Sequence, residues 1–149
     1  MTDSKLVLQK NGAKIMLKML IAEDDLTSCV VLEKILGEYG EPDIATNGRI
    51  ALEFVSKAVE EDDPYDLICL DNMMPQMDGM ETLIAIRAME KSAKHPSCQK
   101  VIMTTVLDDQ ENIKNAYTNG CDGYIIKPVG KKDISQLIGK LGLLGDKSR

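Results

Sequence analysis

Five polar residues close otherwise apolar stretches of this chain, and their types suit the handling of a charged oxygen ligand. Glu23 and Asp24 end "KMLIA" (18–22), Asp71 ends "DLICL" (66–70), Thr105 ends "VIMT" (101–104), and Lys127, followed by Pro128, ends "GYII" (123–126). Carboxylates ligate hard cations or act as nucleophiles, an ammonium holds an anion, and a hydroxyl donates to one. Each residue alone has a plainer reading. An acid after a strand commonly satisfies the first amides of the next helix, and Asp25 is placed to do so before Leu26. A lone threonine or lysine at a strand end means nothing. The chemical reading rests on their joint occurrence.

The elements that carry them follow from hydrophobic pattern. The short continuous apolar runs at 18–22, 66–70 and 101–104 read as strands covered on both faces, with weaker strands at 43–45 and 123–126. Helical spacing predicts a helix over 26–39 with Leu32, Ile35, Leu36 and Tyr39 inward, stopped by Gly40. Asn47 caps a second helix that faces Ala51, Leu52, Val55 and Val59 inward. Further helices are expected over 80–89, 109–119 and 131–141, the last with a frayed end at Gly139 and Gly142. Five strands, each followed by a helix, make an α/β fold with a parallel sheet and right-handed crossovers. Asn11-Gly12 between two apolar runs predicts a β-hairpin ahead of the first strand, a flexible leader being the alternative. The expected division is an extension at 1–17, one domain at 18–144 and a tail at 145–149. "EEDDP" (60–64) reads as a solvated loop.

In such a sheet, ligands sit beyond the carboxyl ends of the strands, at the point where neighbouring connections leave on opposite faces. All five polar residues fall at that edge. If the first and third strands are neighbours, Glu23, Asp24 and Asp71 share one pocket. Two like charges ~4 Å apart repel by ~4 kcal/mol at an effective dielectric of ~20, so the arrangement calls for a cation. Oxygen-only donors in small number point to Mg²⁺. With Lys127 opposite, the site suits a dianionic phosphoryl group, with Asp71 as nucleophile.

Composition narrows the alternatives. The 149 residues, 44% hydrophobic and 28% charged, fit one globular domain. A net charge of -6 argues against capture of nucleic acid or acidic lipid, and no stretch approaches a membrane span. Cys29, Cys69, Cys98 and Cys121 are scattered, with no CxxC pair and one histidine, His95, which supports neither zinc nor a disulfide framework. Reduced thiols in a cytoplasmic protein are the expectation. No GxxxxGK[ST] loop or GxGxxG turn is present.

"LIAEDD", "LICLDNMMPQMDG", "VIMTT" and "GYIIKP", in that order, resemble the receiver domain of two-component response regulators, of the chemotaxis-regulator kind, over about 18–141. The resemblance implies a flavodoxin-like, doubly wound sheet in the order 2-1-3-4-5. It implies that Asp71 accepts phosphate from a phosphohistidine on a sensor kinase or histidine phosphotransfer protein. It implies Mg²⁺ held by Asp24, Asp71 and the Met73 carbonyl, with Glu23 acting through water. Thr105 and Tyr124 match the switch pair, Lys127 the phosphate-binding lysine, and Lys127-Pro128 a cis peptide. Phosphorylation would draw Thr105 inward, let Tyr124 rotate, and alter the face formed by 109–119, 123–126 and 131–141 for a downstream protein. Dimerisation on phosphorylation is compatible with this, and direct nucleic-acid or membrane binding is not expected.

Some positions depart from the family pattern. Val106 is bulkier than the usual small residue, Gly130 replaces a hydroxyl cap, and apolar Met73 and Leu107 stand where polar neighbours tune dephosphorylation. Slow self-dephosphorylation is expected. The alternatives are a Mg²⁺-dependent phosphatase with an aspartyl nucleophile, which would want an acid where Met73 stands, and an unphosphorylated docking receiver. After Leu144 only "GDKSR" remains, so the sequence fits a stand-alone regulator or a piece of a longer one.

Overall fold

The computed structural model describes residues 9–10, 13–14, 16–94 and 98–144. Among these residues, five strands form one parallel sheet: β1 (Met19–Ala22), β2 (Asp43–Ala45), β3 (Leu67–Asp71), β4 (Lys100–Thr105) and β5 (Gly123–Ile126). They lie in the order β2-β1-β3-β4-β5. The helices between and after them are α1 (Leu26–Leu36), α2 (Gly48–Glu60), α3 (Gly79–Ser92), α4 (Gln110–Thr118) and α5 (Lys131–Lys140). A separate antiparallel ribbon pairs Gln9 with Lys14 and Lys10 with Ala13, as the hairpin signal predicts. The Asn11-Gly12 turn itself, His95 and the tail at 145–149 lie outside the described residues.

Strand alternation sorts the core onto two sides of the sheet. Leu20, Ile68, Leu70, Val101 and Met103 pack with α2, α3 and Ala116 of α4. Met19, Ile21, Leu67, Cys69, Ile102 and Ile125 pack with α1 and α5. Every residue of β1 and β3 is buried, which is why these strands read as unbroken apolar runs rather than alternating ones.

Helix starts follow the sequence closely, because short polar side chains accept from early amides. Asp25 accepts from Ser28 N, Asn47 from Ile50 N and Asp109 from Asn112 N. Asp78 and Glu81 form a reciprocal capping box at α3.

The ends differ more from expectation. The helix expected over 26–39 stops at Leu36, and Tyr39 is buried in the turn, with its amide donating to Leu36 O. In α2, Ala51, Val55 and Ala58 are buried, and Leu52 and Val59, half-buried, pack against the same core as expected. The end of α5 does not fray. Leu143 is buried and its amide donates to Ile138 O, a closure of the Schellman kind over Gly142. The 60–64 segment is solvated as expected, with residues 60–63 exposed, and Asp63 accepts from Lys18 Nζ at 2.9 Å.

Leu83 and its neighbour Ile84 test the packing. Leu83 is fully buried against the α2–α3 side, whereas Ile84 is 49% exposed. Leu83→Ala is expected to cost about 2–5 kcal/mol and Ile84→Ala less than about 0.5 kcal/mol, read from urea midpoints at constant slope.

Candidate functional site

The pattern that sorts the core also assembles the site. Residues 19 and 21 of β1, 67 and 69 of β3, and 125 of β5 point toward α1 and α5. Two residues further along each strand stand Glu23, Asp71 and Lys127. They fall in one row, where side chains of three different strands can meet. The pairing Ala22↔Leu70 sets β1 and β3 side by side with their carboxyl ends level. Backbone bonds from Glu23 N to Ala45 O and from Lys127 N to Thr105 O hold the residues just past the strands in place.

The predicted acids converge. Glu23, Asp24 and Asp71 each offer a carboxylate oxygen within 4.8 Å of the others, and this is the group of metal-ligating side chains found among the described residues. Glu23 and Asp71 are buried and Asp24 is exposed, so the cluster opens to solvent on one side. Lys127 is not merely opposite the acids but between two of them. Its Nζ lies 2.9 Å from Glu23 Oε1 and 3.1 Å from Asp71 Oδ1.

Electrostatics make this a strained arrangement. Burial, then the hydrogen bond and repulsion from Glu23, push the Asp71 carboxyl up to about 7, against the opposing pull of Lys127. Burial disfavours the Lys127 ammonium, but Glu23 and Asp71 outweigh it, and its pKa is raised. One lysine cannot balance three carboxylates. The donor set is all oxygen, crowded and negative, so it can hold a hard metal ion, which would relieve the repulsion directly.

The loop after β3 passes behind the cluster under steric constraint. Asn72 N donates to Thr104 O and Gly79 N to Asn72 O. A Cβ on Gly79 would lie 2.5 Å from Asp71 O, so only glycine lets α3 start this close to the acid. Sequence reasoning did not single out Gly79 or the Asp78–Glu81 box. The signal was present, in "MDGME", as D-x-x-E around a glycine.

Thr105 and Tyr124 sit apart from that row. Thr105 shares its strand face with Val101 and Met103, and Tyr124 packs against the same α2–α4 side. Both engage the backbone of Leu107: its amide donates to Thr105 Oγ1 at 3.1 Å, and its carbonyl accepts from Tyr124 Oη at 2.8 Å. Tyr124 is thus already half-buried and tied to the loop. Val106 and Met73 are exposed at the rim, 64% and 60% respectively. The Lys127-Pro128 peptide is cis. Gly130 opens α5 without a side-chain cap, its amide donating to Asp133 Oδ2.

The response regulator receiver domain family matches residues 19–139. The chain belongs to that family. This receiver domain is 34% identical over 143 residues to hybrid signal transduction histidine kinase G of Dictyostelium discoideum, and 31% identical over 139 residues to hybrid signal transduction histidine kinase L of the same organism. Those matches cover 94% and 93% of the receiver domain chain but only 4% and 8% of the two kinases. Among solved structures it is similar to the receiver domain of the histidine kinase CKI1 from Arabidopsis thaliana, complexed with Mg²⁺ and BeF₃⁻. That match has 26% identity and a TM-score of 0.71, covering 83% of this chain and 90% of that one. Relatives of this receiver domain therefore include segments of histidine kinases. None of its described helices is long and apolar enough to cross a membrane.

The raised Asp71 pKa gives a signed expectation. A folded carboxyl that keeps its proton to about 7, against an ordinary 3.8, binds more protons than the unfolded chain between those values. Folding stability in chelator-treated protein therefore falls as pH rises through that window, and the full penalty is present above about 7. Asp71→Asn removes the titration. The variant is expected to gain on the wild type by about 2–4 kcal/mol at pH 8 and by nothing below about pH 4, measured by urea unfolding across pH.

Proposed function

We propose that this receiver domain accepts a phosphoryl group on Asp71 from a phosphohistidine of a sensor histidine kinase or histidine phosphotransfer protein. A carboxylate oxygen of Asp71 attacks phosphorus, the P–N bond to histidine breaks, and an aspartyl phosphate forms. The observation that carries this is the placement of Lys127 Nζ between Glu23 and Asp71, at the open edge of a three-carboxylate cluster. A cation already beside the nucleophile can move onto the incoming phosphoryl oxygens.

Mg²⁺ would be held by Asp24, Asp71 and the Met73 carbonyl, with Glu23 outside them, and would supply charge neutralisation at the phosphoryl oxygens. Burial of Asp71 beside Glu23 raises its proton affinity, so a charge partner is needed to keep the carboxylate ionised and nucleophilic at neutral pH. The apolar face of α1 next to the site, with Leu26, Val30 and Val31 exposed, suits docking of the histidine-bearing helix.

Once phosphorus is in place, Thr105 Oγ can donate to its oxygens instead of accepting from Leu107 N. A charge-assisted hydrogen bond of about 1.5–3 kcal/mol shifts a two-state equilibrium roughly ten- to hundredfold. Leu107 links that change to Tyr124 and to the surface of α4, β5 and α5, where Glu111, Lys114 and Ile126 are exposed for a downstream protein. The reading makes Asp71 a phosphoacceptor that catalyses its own phosphotransfer and dephosphorylation, not an enzyme acting on other substrates.

Intact-mass spectrometry with acetyl phosphate and Mg²⁺ tests it. One phosphoryl label on the wild type, none on Asp71→Asn and none with chelator present is the expected result. Equal labelling of both proteins rejects it, and turnover of many equivalents of a phosphomonoester favours a phosphatase. The label is expected to be long-lived, because apolar Met73 and Leu107 hold no attacking water. Met73→Asn should shorten its lifetime several-fold in a chase by the same measurement.

A further inference from the structure

A second polar cluster lies at the opposite end of the sheet, remote from the acids and unused by the phosphoryl chemistry. Its hub is Arg87 of α3, whose side chain is only 16% exposed. Nε donates to Gly120 O at 2.9 Å and Nη2 to Asp122 Oδ2 at 2.9 Å, while Nη1 reaches Glu90 Oε1 and Gln99 O. Asp122 Oδ2 also accepts from Val101 N, which ties the group to the start of β4. Burying a guanidinium is costly unless its rigid fork is paired, and four of the five N–H groups of Arg87 are engaged here.

Two of those acceptors belong to the turn that ends α4. Gly120 has a φ of +104°, and a Cβ there would crowd the Arg87 side chain at 3.1 Å. The turn is shaped to receive the arginine. Cys121 N donates back to Ala116 O, locking the helix end to the turn.

The rest of α4 is held lightly. Ala116 is its one buried residue among those described. Its amino end is capped by exposed Asp109 and joined to β4 by the loop in which Leu107 is bracketed by Thr105 and Tyr124. Those two bonds are the ones a phosphoryl group on Asp71 would redraw.

We infer that Arg87 makes the carboxyl end of α4 a fixed pivot, so that a shift of the Thr105 loop becomes a tilt of the helix about Gly120. The inference rests on the proposed role of Thr105. A helix of nine residues is about 13 Å long, so a loop shift of about 2 Å tilts it by about 8°. The first turn of α4 then moves most, and Tyr117 beside the pivot moves least. A downstream partner that senses the switch through α4 must read Glu111 and Lys114 rather than Tyr117.

Hydrogen exchange of the full chain, with and without acetyl phosphate and Mg²⁺, tests the pivot, with intact mass recording label in the same samples. In the wild type the exchange difference is expected at 106–113, with 117–123 unchanged within twofold. Asp122→Asn keeps the shape of the site but weakens the clamp, and Arg87→Lys loses the fork. Both variants should label like the wild type, yet their exchange difference should fall at least twofold at 106–113 and appear at 117–123. Should Arg87→Lys fail to fold, Asp122→Asn decides alone. A wild-type change spread evenly along α4, or variants responding as the wild type does, overturns the inference while leaving the phosphoacceptor reading intact. Failure of the wild type to label sinks both.

Discussion

Repulsion among Glu23, Asp24 and Asp71 is the constraint on which this molecule is organised. Their oxygens lie within 4.8 Å of one another, two of the three are buried, and the only cation against them in the described residues is Lys127. A fold selected for stability alone would not gather these charges. The sheet tolerates them because β1 and β3 are buried throughout and their apolar packing offsets the local cost. What the arrangement produces is a carboxylate whose proton affinity is raised by burial and by Glu23 against the pull of Lys127.

The two sides of the sheet divide the labour. The row that carries Glu23, Asp71 and Lys127 continues the strand faces packed on α1 and α5. Thr105 and Tyr124 belong to the face packed on α2, α3 and α4. On that second face the Leu107 backbone ties Thr105 to Tyr124, and the proposed switch would carry a change at Asp71 to this pair across the strand ends. The lightly packed helix, α4, is the element next to that coupling, whereas α3 is fixed by a capping box at one end and by Arg87 near the other. Low local stability lies beside the proposed switch, where motion is needed.

The sequence was most legible where local rules are strong. Strand positions followed from apolar runs, helix starts from Asp25, Asn47 and Asp109, and the acids from their place after strands. It was least legible where the outcome depends on a distant partner. The end of α1 at Leu36 rather than Tyr39 reflects burial of the Tyr39 turn and the bond from Leu17 N to Tyr39 O, which no local pattern encodes. Gly139 and Gly142 read as fraying, but Leu143 finds a buried seat and closes the helix. The Arg87 cluster left no mark in the sequence, since Arg87, Gln99 and Asp122 look like ordinary polar residues until the fold brings them together.

The amino-acid sequence by itself determined the period and polarity of each element, and hence a parallel α/β sheet with five polar groups at one edge. Residues two apart in a strand face the same way, but which of the polar groups share a row was set by the register between strands. Only the tertiary structure decided distances: that Lys127 sits between Glu23 and Asp71, that Gly79 lies against the Asp71 carbonyl, and that one arginine pins the end of α4. The physical reason is range. Pattern and capping act over a few neighbouring residues, whereas these contacts join positions up to 104 apart in the chain, and they form only when the whole sheet has set its register.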